Sequence, residues 1–294
     1  MRTAIRELEP LIEEAVGSLK TTKAEKRGRK PELTLKQKTV LLLLKHLFDR
    51  SNREMSAALV AFSLLSGIDV SYKTVERLYS DEEVLLLLQN MHALLLKKRG
   101  VERVDCSGDG TGYSLTVRKH YATEVQKLKN KVKSTKKSSK KKEKMRFIYS
   151  FALMDLDTRI YIGYGTSFKS EKDAFLKAIE MATAAGINSL RLDQYFSGQS
   201  CVKLIEEKFG GVTVYLIPKK NATVRGPWEW KRMLLRFVKD TKGYLREYFK
   251  RNQSESGFSE DKRRFGWKIA QRREDRVNTA AFCTTLWHNL FWLK

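Results

Sequence analysis

The chain has 294 residues, 41% of them hydrophobic, enough to build one large core or two smaller ones. Lys plus Arg number 58 against 34 for Asp plus Glu, and the formal charge of +24 exceeds what solubility favours and points to a polyanionic partner. Three cysteines, Cys106, Cys201 and Cys283, and four scattered histidines form no CxxC pair and no metal-finger spacing, which argues against a zinc site or a disulfide framework.

Residues 3 to 20 pattern as an amphipathic helix, and their acidic residues set them apart from signal and transit peptides. The leucine runs at 40–44 and 84–88 are far too short to span a bilayer, so the expectation is a cytoplasmic protein, nucleoid-associated when bound to DNA, with no membrane partner. A polar, basic connection follows at 21–33. Within it Arg27, Gly28, Arg29, Lys30 and Pro31 resemble the core of an AT-hook, whose arginines lie in a narrow A·T minor groove; a plain basic linker reads the same five residues equally well. Three helices are expected from Leu35 to about Ser80. They have the size of a helix-turn-helix, with Ser71 as N-cap and Tyr72, Lys73, Glu76 and Arg77 as the outer face of a recognition helix; the alternative is a small bundle that only packs or dimerises. A leucine-rich helix from Glu82 to Lys98 closes this helical, DNA-binding region, residues 1–99.

After Gly100 the pattern becomes β-favouring and Gly-rich, and reads as strand, turn and strand over VERVDCSGDGTGYSLTVRKHY. Two aspartates compete there. Asp109 is the one followed by small residues and hydroxyls, Gly110, Thr111, Gly112 and Ser114. Residues 127–144 carry ten lysines against the single acid Glu143, a block that cannot form a core and reads either as a solvated loop or as a clamp on DNA phosphates. A hairpin (146–154 and 158–166), a helix from Glu171 to Ala185, a short strand closing on Asp193, a helix from Ser197 to Phe209 and a strand at 212–218 follow. Trp228 and Trp230 open a helical stretch, and both core packing and stacking on an unpaired base are open readings for them. Near the C-terminus, a helix from about Glu274 to Trp292 carries His288 in a core role.

The chemistry converges on YFKRNQSESGFSEDK, residues 248–262. Tyr248, Arg251 and Glu255 fall three and four apart and would share one helical stripe, with Lys262 seven beyond the glutamate. Gly257 is expected to bend or interrupt that helix, and Glu260 is the fallback carboxylate. The tyrosine, arginine, glutamate and lysine spacing resembles the signature of a group of insertion-sequence transposases with an Asp, Asp, Glu (DDE) catalytic triad. The runs from Asp109 to Ser114 and from Leu192 to Gly198 resemble their two aspartate motifs, and on that resemblance Asp109 is preferred over Asp105, its small neighbours leaving room for a metal and a DNA backbone to approach.

The resemblance implies a ribonuclease H-like catalytic domain over 100–294, a mixed sheet with helices, without room for the β-rich insertion of some relatives. It also implies Asp109, Asp193 and Glu255 as catalytic residues and ligands of two Mg²⁺ or Mn²⁺ ions. DNA contacts would come from Tyr248, Arg251, Lys262, Arg27, Arg29, Lys73 and Arg77. The implied partners are double-stranded DNA at the element ends and at the target, with a homodimer when two ends are synapsed. A ribonuclease H-like structure-specific nuclease and a non-catalytic DNA-binding derivative of a transposase are the alternatives.

Overall fold

A computed structural model describes residues 1–19, 33–49, 53–58, 70–115, 147–271 and 273–293. The AT-hook-like arm with Arg27 and Arg29 and the lysine-rich block 127–144 lie outside the described residues. So does the stretch 59–69 that would complete a helix-turn-helix.

Helices α1 (Arg2–Ser18) and α2 (Leu35–Leu47) bury Leu8, Leu11 and Ile12 against Leu42 and Leu43. Thr34 starts α2 with a reciprocal capping box, its hydroxyl accepting from the Gln37 amide while the Gln37 side chain accepts from the Thr34 amide. The short helix α3 (Tyr72–Arg77) begins at the expected cap, where the Ser71 hydroxyl accepts from the Thr74 amide at 3.3 Å. Tyr72, Lys73 and Arg77 are exposed as predicted, while Glu76 is engaged by Arg276. Helix α4 (Glu82–Lys98) is capped by Asp81 and buries Leu87, Leu88, Met91 and Leu95.

Strands β1 (Arg103–Leu115), β2 (Phe147–Asp155), β3 (Tyr161–Ser167), β4 (Gly186–Arg191), β5 (Thr213–Tyr215) and β6 (Lys268–Ile269) make one mixed sheet in the order β3-β2-β1-β4-β5, with β6 beside the end of β1. The β1–β2 and β2–β3 pairs are antiparallel, and β1–β4 and β4–β5 are parallel. The hairpin appears where predicted. The strand, turn and strand expected over the Gly-rich segment is corrected to a single strand. All of Cys106 to Ser114 pairs with β2, so ladder hydrogen bonds outweigh the glycines' turn preference.

Helices α5 (Glu171–Met181), α6 (Gln199–Phe209), α7 (Trp228–Lys239) and α8 (Thr241–Phe249) follow. Residues of all four share an apolar core with one face of the sheet, built on Phe151, Phe175, Ile187 and Ile205. A second core joins α1, α2 and α4 to the other face and to the C-terminal helices α9 (Asn252–Phe265) and α10 (Glu274–Phe291), with Trp287 at its centre. The indole of Trp287 donates to the Leu43 carbonyl at 2.9 Å, tying the two chain ends together. Among the described residues, no helix is long and apolar enough to cross a membrane.

Candidate active site: three carboxylates around one arginine

The register of the parallel pair places the two aspartates. Ser107 lies opposite Arg191, and two residues further along each strand stand Asp109, still inside β1, and Asp193, just past the end of β4. Asp193 leaves the sheet by capping a short 3₁₀ turn, its Oδ2 accepting from the Tyr195 amide at 3.3 Å.

The glutamate arrives on α9, and here the single helical stripe is corrected. The chain turns between α8 and α9 at Lys250 and Arg251, so Tyr248 lies in the last turn of one helix and Glu255 in the first turn of the next. Gly257 does not interrupt α9, which runs unbroken to Phe265. Glycine is required there because a Cβ would stand 2.8 Å from the Tyr161 hydroxyl and 3.3 Å from Met154 Sδ.

Arg251 pairs with two of the three and feels the charge of Asp109. Its Nη1 lies 3.0 Å from Glu255 Oε1 and its Nη2 lies 3.7 Å from Asp193 Oδ1, with the side chain 18% exposed. Its Nε is buried without a hydrogen-bond partner. Burial alone would lower the guanidinium's pKa, yet Tyr248, Glu255, Asp193 and Asp109 together hold it above its ordinary value. Asp109 is pushed up to about 6, chiefly by burial, with Glu255 and Glu171 adding to the rise and the Gly110 amide and Arg251 opposing it. Among the described residues, no three His, Cys, Asp or Glu side chains stand close enough to hold one ion. The cation among these carboxylates is the guanidinium.

The neighbouring residues take different places. Tyr248, expected to touch DNA, is only 3% exposed, and the Arg251 guanidinium lies 5.6 Å from its ring, so the tyrosine seats the arginine. Lys262 sits over the rings of Trp267 and Tyr113 at 4.6 and 5.4 Å, its pKa lowered by burial. Glu260 pairs with Arg264 on its own helix.

Asp105 accepts from the Ser189 hydroxyl, which accepts from Arg191 Nη1 at 2.6 Å. Arg191, 2% exposed, also binds Glu247 through a 2.5 Å ion pair and a 2.9 Å bond to its carbonyl. Asp105 therefore belongs to a network that fastens α8 to the sheet, beside a polar concavity of about 490 Å³ lined by Asp155, Asp157 and Lys250.

Sequence reasoning missed a fourth acid. Glu171, the first residue of α5, covers Gly110, where any Cβ would overlap its carboxylate; burial and Asp193 raise its pKa. Next to the helix cap Ser170, it reads in sequence as an ordinary first-turn acid. Only its sheet neighbour reveals its surroundings.

The chain as a whole has a relative among known proteins. Over 296 aligned residues, covering all of this chain and 85% of the relative, the chain is 43% identical to a protein of Archaeoglobus fulgidus named probable transposase for insertion sequence element ISA1214. The chain belongs to the insertion-sequence transposases. No family profile and no solved structure matches this transposase.

Proposed function

We propose that this transposase is of the DDE type. It would bind the ends of its mobile element and carry out strand cleavage and strand transfer by in-line phosphoryl transfer in a ribonuclease H-like catalytic domain, residues 100–294. The observation that carries this reading is the convergence of Asp109, Asp193 and Glu255 on one guanidinium, from two adjacent parallel strands and a helix.

The donor set suits a hard divalent cation. All three groups are carboxylates, the hard oxygen donors such an ion takes, and the buried, unpartnered Arg251 Nε beside them is a donor left for an anion such as a phosphate. Asp109, Asp193 and Glu255 would hold two Mg²⁺ or Mn²⁺ ions, Asp193 and Glu255 exchanging the guanidinium for them. Bound there, the ions would supply an activated oxygen nucleophile and charge neutralisation at the leaving oxygen. Arg251, released toward the substrate, would grip a phosphate in bidentate fashion, with Tyr248 orienting it. Lys262 would bind the backbone further along α9. Lys73 and Arg77, exposed on α3, would contact duplex DNA outside the active site, and a homodimer would bring two ends together.

The test is incubation with the DNA flanking its own gene and Mg²⁺, with nicks mapped at nucleotide resolution. Asp109→Ala, Asp193→Ala and Glu255→Ala should each abolish cleavage and leave DNA binding intact. Cleavage retained by the Asp109 variant and lost in Asp105→Ala would overturn the assignment.

A further inference from the structure

The loop between β5 and α7 reads LIPKKNATVRGPW, residues 216–228, and contains three cations and no acid. Lys219, Lys220 and Arg225 are exposed and make no ion pair among the described residues. Three large side chains stand out on this surface and the neighbouring turn: Trp228 at 61%, Val224 at 67% and Tyr195 at 58% exposure. Trp230 and Trp287 are buried and the equally open Trp267 carries Lys262 over its ring at 4.6 Å, whereas among the described residues neither a ring nor a cation covers Trp228.

The loop is also stitched to the segment that carries Asp193. The Gln194 side chain donates to the Pro218 carbonyl at 3.4 Å, and the Gln199 side chain donates to the Arg225 carbonyl at 2.5 Å. From α7 the Trp230 indole donates to the loop's Thr223 carbonyl at 2.8 Å, and within the loop the Ala222 amide donates to the Lys219 carbonyl at 2.9 Å. Pro218 and Pro227 fix φ at either end. A surface held in this way loses little freedom when it is covered.

We infer that this loop, with Trp228 and Tyr195, is a platform for a single-stranded DNA segment next to the scissile phosphate. This deepens the proposed function and rests on it. Cations alone would serve a duplex backbone. Exposed rings interleaved with cations suit unpaired nucleotides, whose bases offer a π-face to the rings and whose backbone offers phosphates to the cations. The platform begins two residues after Asp193, so a strand whose phosphate lies at the carboxylates would pass over it directly.

The experiment measures binding by the full chain in EDTA, using duplexes of its own flanking DNA with and without a short single-stranded tail. Trp228→Ala should weaken binding of the tailed duplex about tenfold and leave the blunt duplex unchanged, with Trp228→Phe restoring the tailed value. Replacing Lys219, Lys220 and Arg225 by alanine should flatten the dependence of log K on log salt for the tailed duplex by about 2, and only slightly for the blunt one. Equal losses on both duplexes would make the loop a duplex-backbone contact and overturn the inference, as would unchanged binding by Trp228→Ala. Failure of the native chain to bind either duplex would instead sink the DNA-binding reading, and cleavage by the Asp109→Ala variant would sink the DDE reading while leaving this result standing.

Discussion

Replacing Asp261 by alanine should loosen the helix that carries Glu255. Asp261 lies on α9, 1% exposed, and its two oxygens receive different partners. The Tyr161 hydroxyl donates to Oδ2 at 2.8 Å, and His288 Nδ1 lies 2.8 Å from Oδ1. His288 Nε2 reaches the Arg159 carbonyl at 2.9 Å, and its ring stacks on Tyr161 at 3.8 Å. A single carboxylate therefore ties α9 to β3 and to α10.

Removing it deletes two hydrogen bonds to an acid, each worth about 1.5–3 kcal/mol, and strands two buried partners, so Asp261→Ala should cost roughly 3–5 kcal/mol. Asp261→Asn separates hydrogen bonding from charge. The Arg159 carbonyl can only accept, so Nε2 carries a hydrogen; the asparagine amide could then donate to Nδ1 while its oxygen accepts from Tyr161. That variant should cost only about 1–2 kcal/mol. Urea unfolding followed by circular dichroism measures both. An alanine variant within about 1 kcal/mol of the native chain, or an asparagine variant as costly as alanine, would refute the reasoning.

Gly257→Ala gains about 1 kcal/mol of helix propensity but drives a methyl into Tyr161, whose hydroxyl Asp261 fixes. Overpacking costs about 1–3 kcal/mol, so the same urea assay should show net destabilisation, and a stabilised variant would show that the core yields there. Stability should also fall with acid. His92 is buried and His46 half-buried, and desolvation lowers their pKa values to about 4 and about 3, so both are neutral. Below their ordinary value of 6.5 the unfolded chain takes up protons that the folded chain refuses. Stability is therefore present above pH 6.5 and lost as pH falls toward the folded values. The two together remove about 4 kcal/mol by pH 5. Asp109, raised to about 6, acts in the opposite sense and returns about 1.4 kcal/mol. Unfolding in EDTA should show a net loss of about 2–3 kcal/mol between pH 7.5 and pH 5. An unchanged midpoint would contradict the neutral imidazoles.

Local signals carried much of the fold. The caps at Thr34, Ser71, Asp81 and Ser170 are contacts between near neighbours, and the helix starts they mark appear in place. The hairpin at Asp155–Asp157 was legible for the same reason, since its turn chemistry and alternation lie within a few residues. The Gly-rich stretch after Cys106 was misread because its conformation is decided by β2, which pairs with it across the lysine-rich block. Fixed spacing likewise brought Arg251 and Glu255 together four apart. It could not disclose that a turn separates Tyr248 from them or that the tyrosine faces inward, because burial depends on what packs over α8.

What the sequence determined by itself was therefore the inventory: the basic excess, the elements with local caps, and the acids at motif spacing. The tertiary structure decided which acids meet. Asp105 and Asp109 are four apart on one strand and a motif resemblance alone ranked them, whereas in the structure Ser189 and Arg191 claim the first while Arg251 and Glu255 act on the second. Glu171 joins them only because the start of α5 lies over a residue without a side chain. Those partners come from distant parts of the chain, and charge interactions fall off with distance in space whatever the separation in sequence.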